Sequence, residues 1–75
     1  MNEGFILSNK YRKAVFDAFA SGETRIEEIA KRQRIVPVIA RKVLHEFVTE
    51  GILEQHGSQY RFTKEGEKLV QTLHG

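Results

Sequence analysis

The 75-residue sequence contains no cysteine, a single proline and no long apolar run. The absence of cysteine removes disulfides, thiolate nucleophiles and thiolate metal ligands together. It fits a reducing compartment, and the cytoplasm is the expected location. No stretch has the length needed to cross a bilayer, and the start of the chain lacks the basic-then-apolar order of a signal peptide, so no membrane association is expected. Low-complexity segments, repeats and linkers are also missing, which leaves one domain spanning 1–75. A domain of this size buries only roughly 60% of its extended-chain surface, which disfavours an elaborate enclosed active site.

Acidic residues are missing from one place in particular. Between Ile29 and His45 there is no carboxylate, while Lys31, Arg32, Arg34, Arg41 and Lys42 contribute five positive charges. The other segments hold seven basic and ten acidic residues, so a net +2 chain divides into a basic block on a slightly acidic body. Such a block is either the electrostatic footprint of a polyanion site or a solvated basic surface.

The periodicity predicts a mainly helical α+β chain. Residues 1–4 are expected to fray. Phe5-Ile6-Leu7 is apolar and needs cover from the core or from a partner. Ser8 or Asn9 can cap a helix over about 9–20, whose stripe is Tyr11, Ala14, Val15, Ala18 and Phe19, with Phe16 near its edge. Gly22 suits the left-handed stop. Thr24 and Glu27 have the spacing of a capping box for a second helix over about 25–34. Pro37 suits the first position of a third helix over about 37–50, which Gly51 ends.

Strands follow at about 52–55 and 60–63, joined at Gly57-Ser58 by a type II′ turn. In that register Leu53 faces Phe62, Gln55 faces Tyr60, and Glu54 opposes Arg61 as an outer ion pair. Thr63 can cap a last helix over about 64–73 with Leu69 and Leu73 on one side. A minimal strand near Glu23 to Arg25 is expected to join the hairpin, giving the order α-(β)-α-α-β-β-α.

On a helical wheel, Ala40, Val43, Leu44 and Phe47 cluster on one side of the third helix. Val38, Arg41, Lys42 and His45 lie nearly opposite. A helix with one apolar and one basic side suits the DNA major groove, where Arg and Lys reach guanine or phosphate and Val38 can meet a thymine methyl. Lys31, Arg32 and Arg34 fall beside the tight turn before that helix, where phosphates would lie in a helix-turn-helix. Lys10, Arg12 and Lys13 oppose the dipole of the first helix. A phosphate would offset that cost, and so would an internal ion pair at Arg12. At the hairpin, Gln59 and Arg61 are the candidates for backbone or minor-groove contacts.

Four strings in order carry a resemblance: Ser8-Asn9-Lys10-Tyr11-Arg12, Ile29-Ala30-Lys31, Phe47 with Gly51-Ile52-Leu53-Glu54, and Tyr60-Arg61-Phe62-Thr63-Lys64-Glu65-Gly66. Together they resemble small archaeal-type winged helix-turn-helix transcriptional regulators. The resemblance implies a double-stranded DNA-binding regulator, often a homodimer, with the third helix in the groove and the turn and wing on the backbone. The chain departs from that pattern where Arg34 replaces a turn glycine, where Val36 replaces a Ser or Thr cap, and in the apolar first turn Pro37-Val38-Ile39.

The surfaces expected to join two copies are Phe5, Ile6 and Leu7, or the last helix through Val70. A rival expectation is a winged-helix protein–protein module that docks through Val36, Val38 and Ile39 with Phe5-Ile6-Leu7 and does not read DNA. Tyr60 and Phe62 could also stack on single-stranded bases, although their shared face with Leu53 marks them as core. His45, His56 and His74 have no ligand-like spacing and no Gly-rich phosphate loop is present. Neither an enzyme, a metal site nor a cofactor is expected.

Overall fold

The computed structural model describes residues 2–74. Seven elements follow one another: α1 (Glu3–Leu7), α2 (Lys10–Ala20), α3 (Ile26–Gln33), α4 (Pro37–Thr49), β1 (Leu53–His56), β2 (Gln59–Phe62) and α5 (Lys64–His74). The fold is mainly helical with one two-stranded antiparallel hairpin, an α+β arrangement. No helix among the described residues is long and apolar enough to cross a membrane.

Of residues 1–4, expected to fray, Met1 lies outside the described residues, Asn2 precedes the first helix, and Glu3 and Gly4 are helical. Glu3 already begins α1, because Ile6 is fully buried and fastens this short helix to the core. Of the two covers expected for Phe5-Ile6-Leu7, the core supplies that of Ile6 and much of that of Phe5. Phe5 lies edge-on to Phe47 at 6.1 Å between ring centres, and only Leu7 stays largely exposed. Val70 is also half-buried against the core.

Asn9 caps α2 by accepting hydrogen bonds from the backbone N–H of Tyr11 (2.8 Å) and Arg12 (3.1 Å). Phe16, expected near the edge of the apolar stripe, is fully buried at its centre. It meets Phe47 of α4 on one side (6.4 Å) and Phe62 of β2 on the other (5.5 Å), both edge-to-face. Helix α2 is therefore covered from two directions, which widens its buried arc beyond one stripe.

The hairpin pairs Leu53 with Phe62, Glu54 with Arg61, Gln55 with Tyr60 and His56 with Gln59, in the expected register. Gly57 has φ 63 and Ser58 has no positive φ, which fits the type II′ turn. The outer ion pair does not form. The Glu54 carboxylate turns to the Nε2 of His56 at 3.3 Å, because strand register sets Cα positions and not rotamers.

The minimal strand near Glu23–Arg25 is corrected as well, since the sheet has two strands only. The carboxylate of Glu23 accepts the backbone N–H groups of Thr24 and Arg25, both at 3.0 Å, and so occupies donors that a third strand would offer. Arg25 takes the N-cap position of α3 without a side-chain cap bond, in place of the expected Thr24–Glu27 capping box.

Thr63 fastens the hairpin to α5. Its hydroxyl accepts from the N–H of Gly66 (3.0 Å) and donates to the carbonyls of Gly51 and Ile52. Gly66 is the third residue of α5, buried against Ile52 and Phe62.

Candidate nucleic-acid interface

Helices α3 and α4 are joined by Arg34, Ile35 and Val36. Arg34 closes α3 in the left-handed conformation (φ 55, ψ 44). Its N–H donates to Lys31 O (3.4 Å), and Ile35 N–H reaches back to Ala30 O (2.9 Å). This pattern satisfies carbonyls that the helix end would leave free. Ile35 is buried and anchors the turn in the core. Val36 then precedes Pro37, which occupies the start of α4, where a missing N–H costs nothing. The crossing of the two helices is thus held by a buried side chain and a fixed proline φ.

Helix α4 divides along its length. Ala40, Val43, Leu44 and Phe47 are buried, while Val38, Arg41, Lys42 and His45 are exposed on the outer side. Neither Arg41 nor Lys42 lies in an ion pair among the described residues, and the same is true of Lys31 and Arg34 beside the turn.

Glu46 follows Lys42 by one helical turn but is drawn off this face. Arg12 holds it through two contacts of 3.2 Å, Nε to Oε1 and Nη2 to Oε2. That side-chain hydrogen bond keeps the Glu46 carboxyl below its ordinary range, against the opposing effect of burial, and the charges of Arg12 and Lys42 act in the same direction.

Arg12 therefore makes an internal ion pair. Its Nη1 also donates to Phe5 O at 3.2 Å, and its guanidinium lies 4.0 Å from the centre of the Phe5 ring. One side chain ties α1, α2 and α4 together and is spent doing so. Its α2 neighbours are engaged locally: Lys13 pairs with Asp17 at 2.8 Å, and Lys10 lies 5.2 Å over the ring of Tyr11. Arg32 reaches Glu23 at 3.9 Å but remains 72% exposed, so this contact is loose.

The hairpin sits beside the outer face of α4. Arg41 and His45 share a cleft of about 390 Å³ with Gln55, Ser58 and Tyr60. Gln59 lines a neighbouring cleft with Thr24 and Arg25, and Arg61 is exposed on β2. Of the residues predicted from sequence, the structure groups Arg41 and His45 with the hairpin and Arg41 with Lys31 across the α3–α4 crossing. Val38 and Lys42 extend the same exposed side of α4.

Two residues in this region escaped the sequence reading. Arg25 borders the hairpin tip, but the expected strand concealed its place. Glu27 lines both clefts that contain Arg41. A wheel drawn for α4 alone cannot reveal a carboxylate contributed by α3. Compared with known proteins, the chain matches no family model, no curated protein and no solved structure.

Proposed function

We propose that this chain is a winged helix-turn-helix domain that binds double-stranded DNA as a transcriptional regulator, with α4 lying in the major groove. One observation carries the reading. The outer face of α4 presents Arg41 and Lys42 without carboxylate partners, flanked by Lys31 and Arg34 at the turn. A groove about 12 Å wide admits a helix, and a bidentate Arg reads guanine within it. Lys31 and Arg34 supply phosphate contacts that set register. The hairpin serves as the wing, with Gln59 and Arg61 on the backbone. Because Val36 to Ile39 offer only apolar side chains, base reading falls mainly to Arg41, Lys42 and His45.

Fluorescence anisotropy with a labelled random-sequence duplex at low salt tests this. Arg41→Ala with Lys42→Ala should weaken binding roughly 5- to 150-fold, the range for about 1–3 kcal/mol. With five cations engaged, Lys31, Arg34, Arg41, Lys42 and Arg61, log K should fall against log salt with a slope of about −4 to −5 per chain. Unchanged affinity in the double variant would remove α4 from the interface.

The same reading includes a homodimer. Leu7 is the exposed apolar residue among those expected to join two copies. Sedimentation of the chain with and without duplex decides the point, and a monomer in both excludes it.

A further inference from the structure

A second cleft, of about 210 Å³, lies at the α3–α4 crossing. Ile26, Ala30, Ile35 and Pro37 give it apolar walls. Its charged lining is Lys31 and Arg41, with Glu27 the one carboxylate. Beside it stand Val36 and Val38, which are 57% and 63% exposed and so form an apolar ridge on an otherwise basic surface.

The size of this cleft bears on its occupant. It falls below the roughly 300–1,000 Å³ of most small-molecule sites, and suits one bulky side chain. Anchors of that kind, seated in a small apolar pocket, concentrate binding energy at protein interfaces. The charges decide which protein. A second copy placed face to face would bring Lys31, Arg34, Arg41 and Lys42 against their counterparts, and like charges so juxtaposed oppose association. A partner with carboxylates around an apolar anchor meets both the walls and the rim.

We propose that the α3–α4 cleft is a docking site for an acidic amphipathic helix of another protein, which seats one apolar side chain between Ile26, Ala30, Ile35 and Pro37 and sets its carboxylates against Lys31 and Arg41. This is helix-in-groove recognition with an electrostatic rim. Arg41 also belongs to the face assigned to DNA, so the helix and a duplex exclude one another. That exclusion, unlike the docking itself, rests on the DNA-binding reading.

The test uses three synthetic helical peptides and the full chain, followed through its backbone amides by NMR. The first peptide carries Leu at i, i+3, i+4 and i+7 with Glu elsewhere on its surface. The second has Lys in place of Glu, and the third has Ser in place of Leu. The Glu/Leu peptide should shift Ala30, Ile35 and Arg41, and the other two should bind at least about tenfold more weakly. Lys31→Glu with Arg41→Glu, both at exposed positions, should reverse the preference between Glu/Leu and Lys/Leu, and circular dichroism verifies that this variant is folded. Val38→Ser provides a second variant and should weaken both Leu-bearing peptides while leaving the Ser peptide unchanged.

Equal binding of the Glu and Lys peptides overturns the proposal. So does equal binding of the Leu and Ser peptides, no shift at millimolar peptide, or shifts centred on Leu7 or α5. A competition between the Glu/Leu peptide and a labelled duplex then tests exclusion. If the duplex fails to bind at all, the DNA reading falls, while the peptide titration still judges the docking site.

Discussion

Replacing Gly66 with alanine should destabilise the protein, although the site is inside a helix where alanine is ordinarily the better residue. Intrinsic propensity favours Ala over Gly by about 1 kcal/mol. Against this, a Cβ on Gly66 would lie 2.1 Å from the carbonyl oxygen of Ile52 and 2.8 Å from Cδ1 of Phe62. Ordinary contact distances require the oxygen to retreat by roughly 1 Å or more. It cannot do so freely, because it accepts the backbone N–H of Thr63 at 3.1 Å and the Thr63 hydroxyl at 3.2 Å. Overpacking of this kind costs about 1–3 kcal/mol, and losing one hydrogen bond adds about 1 kcal/mol.

After the propensity gain is subtracted, Gly66→Ala should lose about 1–3 kcal/mol. That is a large share of the about 4–11 kcal/mol available to a chain of this length. The corresponding fall in Tm is about 5–20 °C. Gly4→Ala is the matched control: Gly4 is also helical, but nothing lies within 4 Å of its added Cβ. It should leave Tm unchanged or raise it by a few degrees. Thermal unfolding followed by circular dichroism, with urea titration as a check that m is preserved, reads both variants. A Gly66→Ala protein that melts at or above its parent would refute the close approach of α5 to the hairpin base.

Two further outcomes follow from the clamp and the turn. Arg12→Met leaves Glu46 unpaired and also removes the guanidinium from the Phe5 ring and from Phe5 O, and should cost about 1–2 kcal/mol at pH 7. Since the folded-state pKa of Glu46 lies below its ordinary 4.5, that stability is present above about pH 4.5 and lost as pH falls through the folded value. The gap between variant and parent in urea midpoint should therefore narrow at pH 3 to what the Phe5 contacts contribute, and a gap of unchanged size would deny the ion pair. Arg34→Gly should raise stability by up to about 1 kcal/mol, because a side chain held left-handed costs about 1–2 kcal/mol and added chain entropy offsets part of the relief. If Arg34 meets a phosphate, the same variant flattens the salt dependence of duplex binding by about 0.9 in log–log slope.

Local chemistry made much of this fold readable. Asn9, Pro37, Gly51 and Thr63 mark ends because each satisfies or avoids a backbone hydrogen bond within a few residues. The hairpin register was legible because an alternation of period two and a Gly57-Ser58 turn admit one pairing that puts Leu53 and Phe62 together. What the sequence concealed was set by distant partners. Arg12 and Glu46 are 34 residues apart, and no periodicity connects them. Phe16 occupies the centre of the core because two elements approach α2 from different sides. Glu3–Leu7 becomes helical through burial of Ile6, not through its own propensity. In the candidate site, the outer face of α4 was legible from one helix, whereas Glu27 became visible only once α3 was laid beside it.

The buried Ile35 in the α3–α4 turn has a consequence for how such a protein can change. It assigns the orientation of α4 to the core, so that Val38, Arg41, Lys42 and His45 bear little of the folding free energy. Exposed positions of this kind usually tolerate replacement within about 0.5 kcal/mol. The outer face can then diversify, one neutral step at a time, while the scaffold beneath it stays constant. The outer face and the architecture can vary independently in this chain, on opposite sides of a single helix.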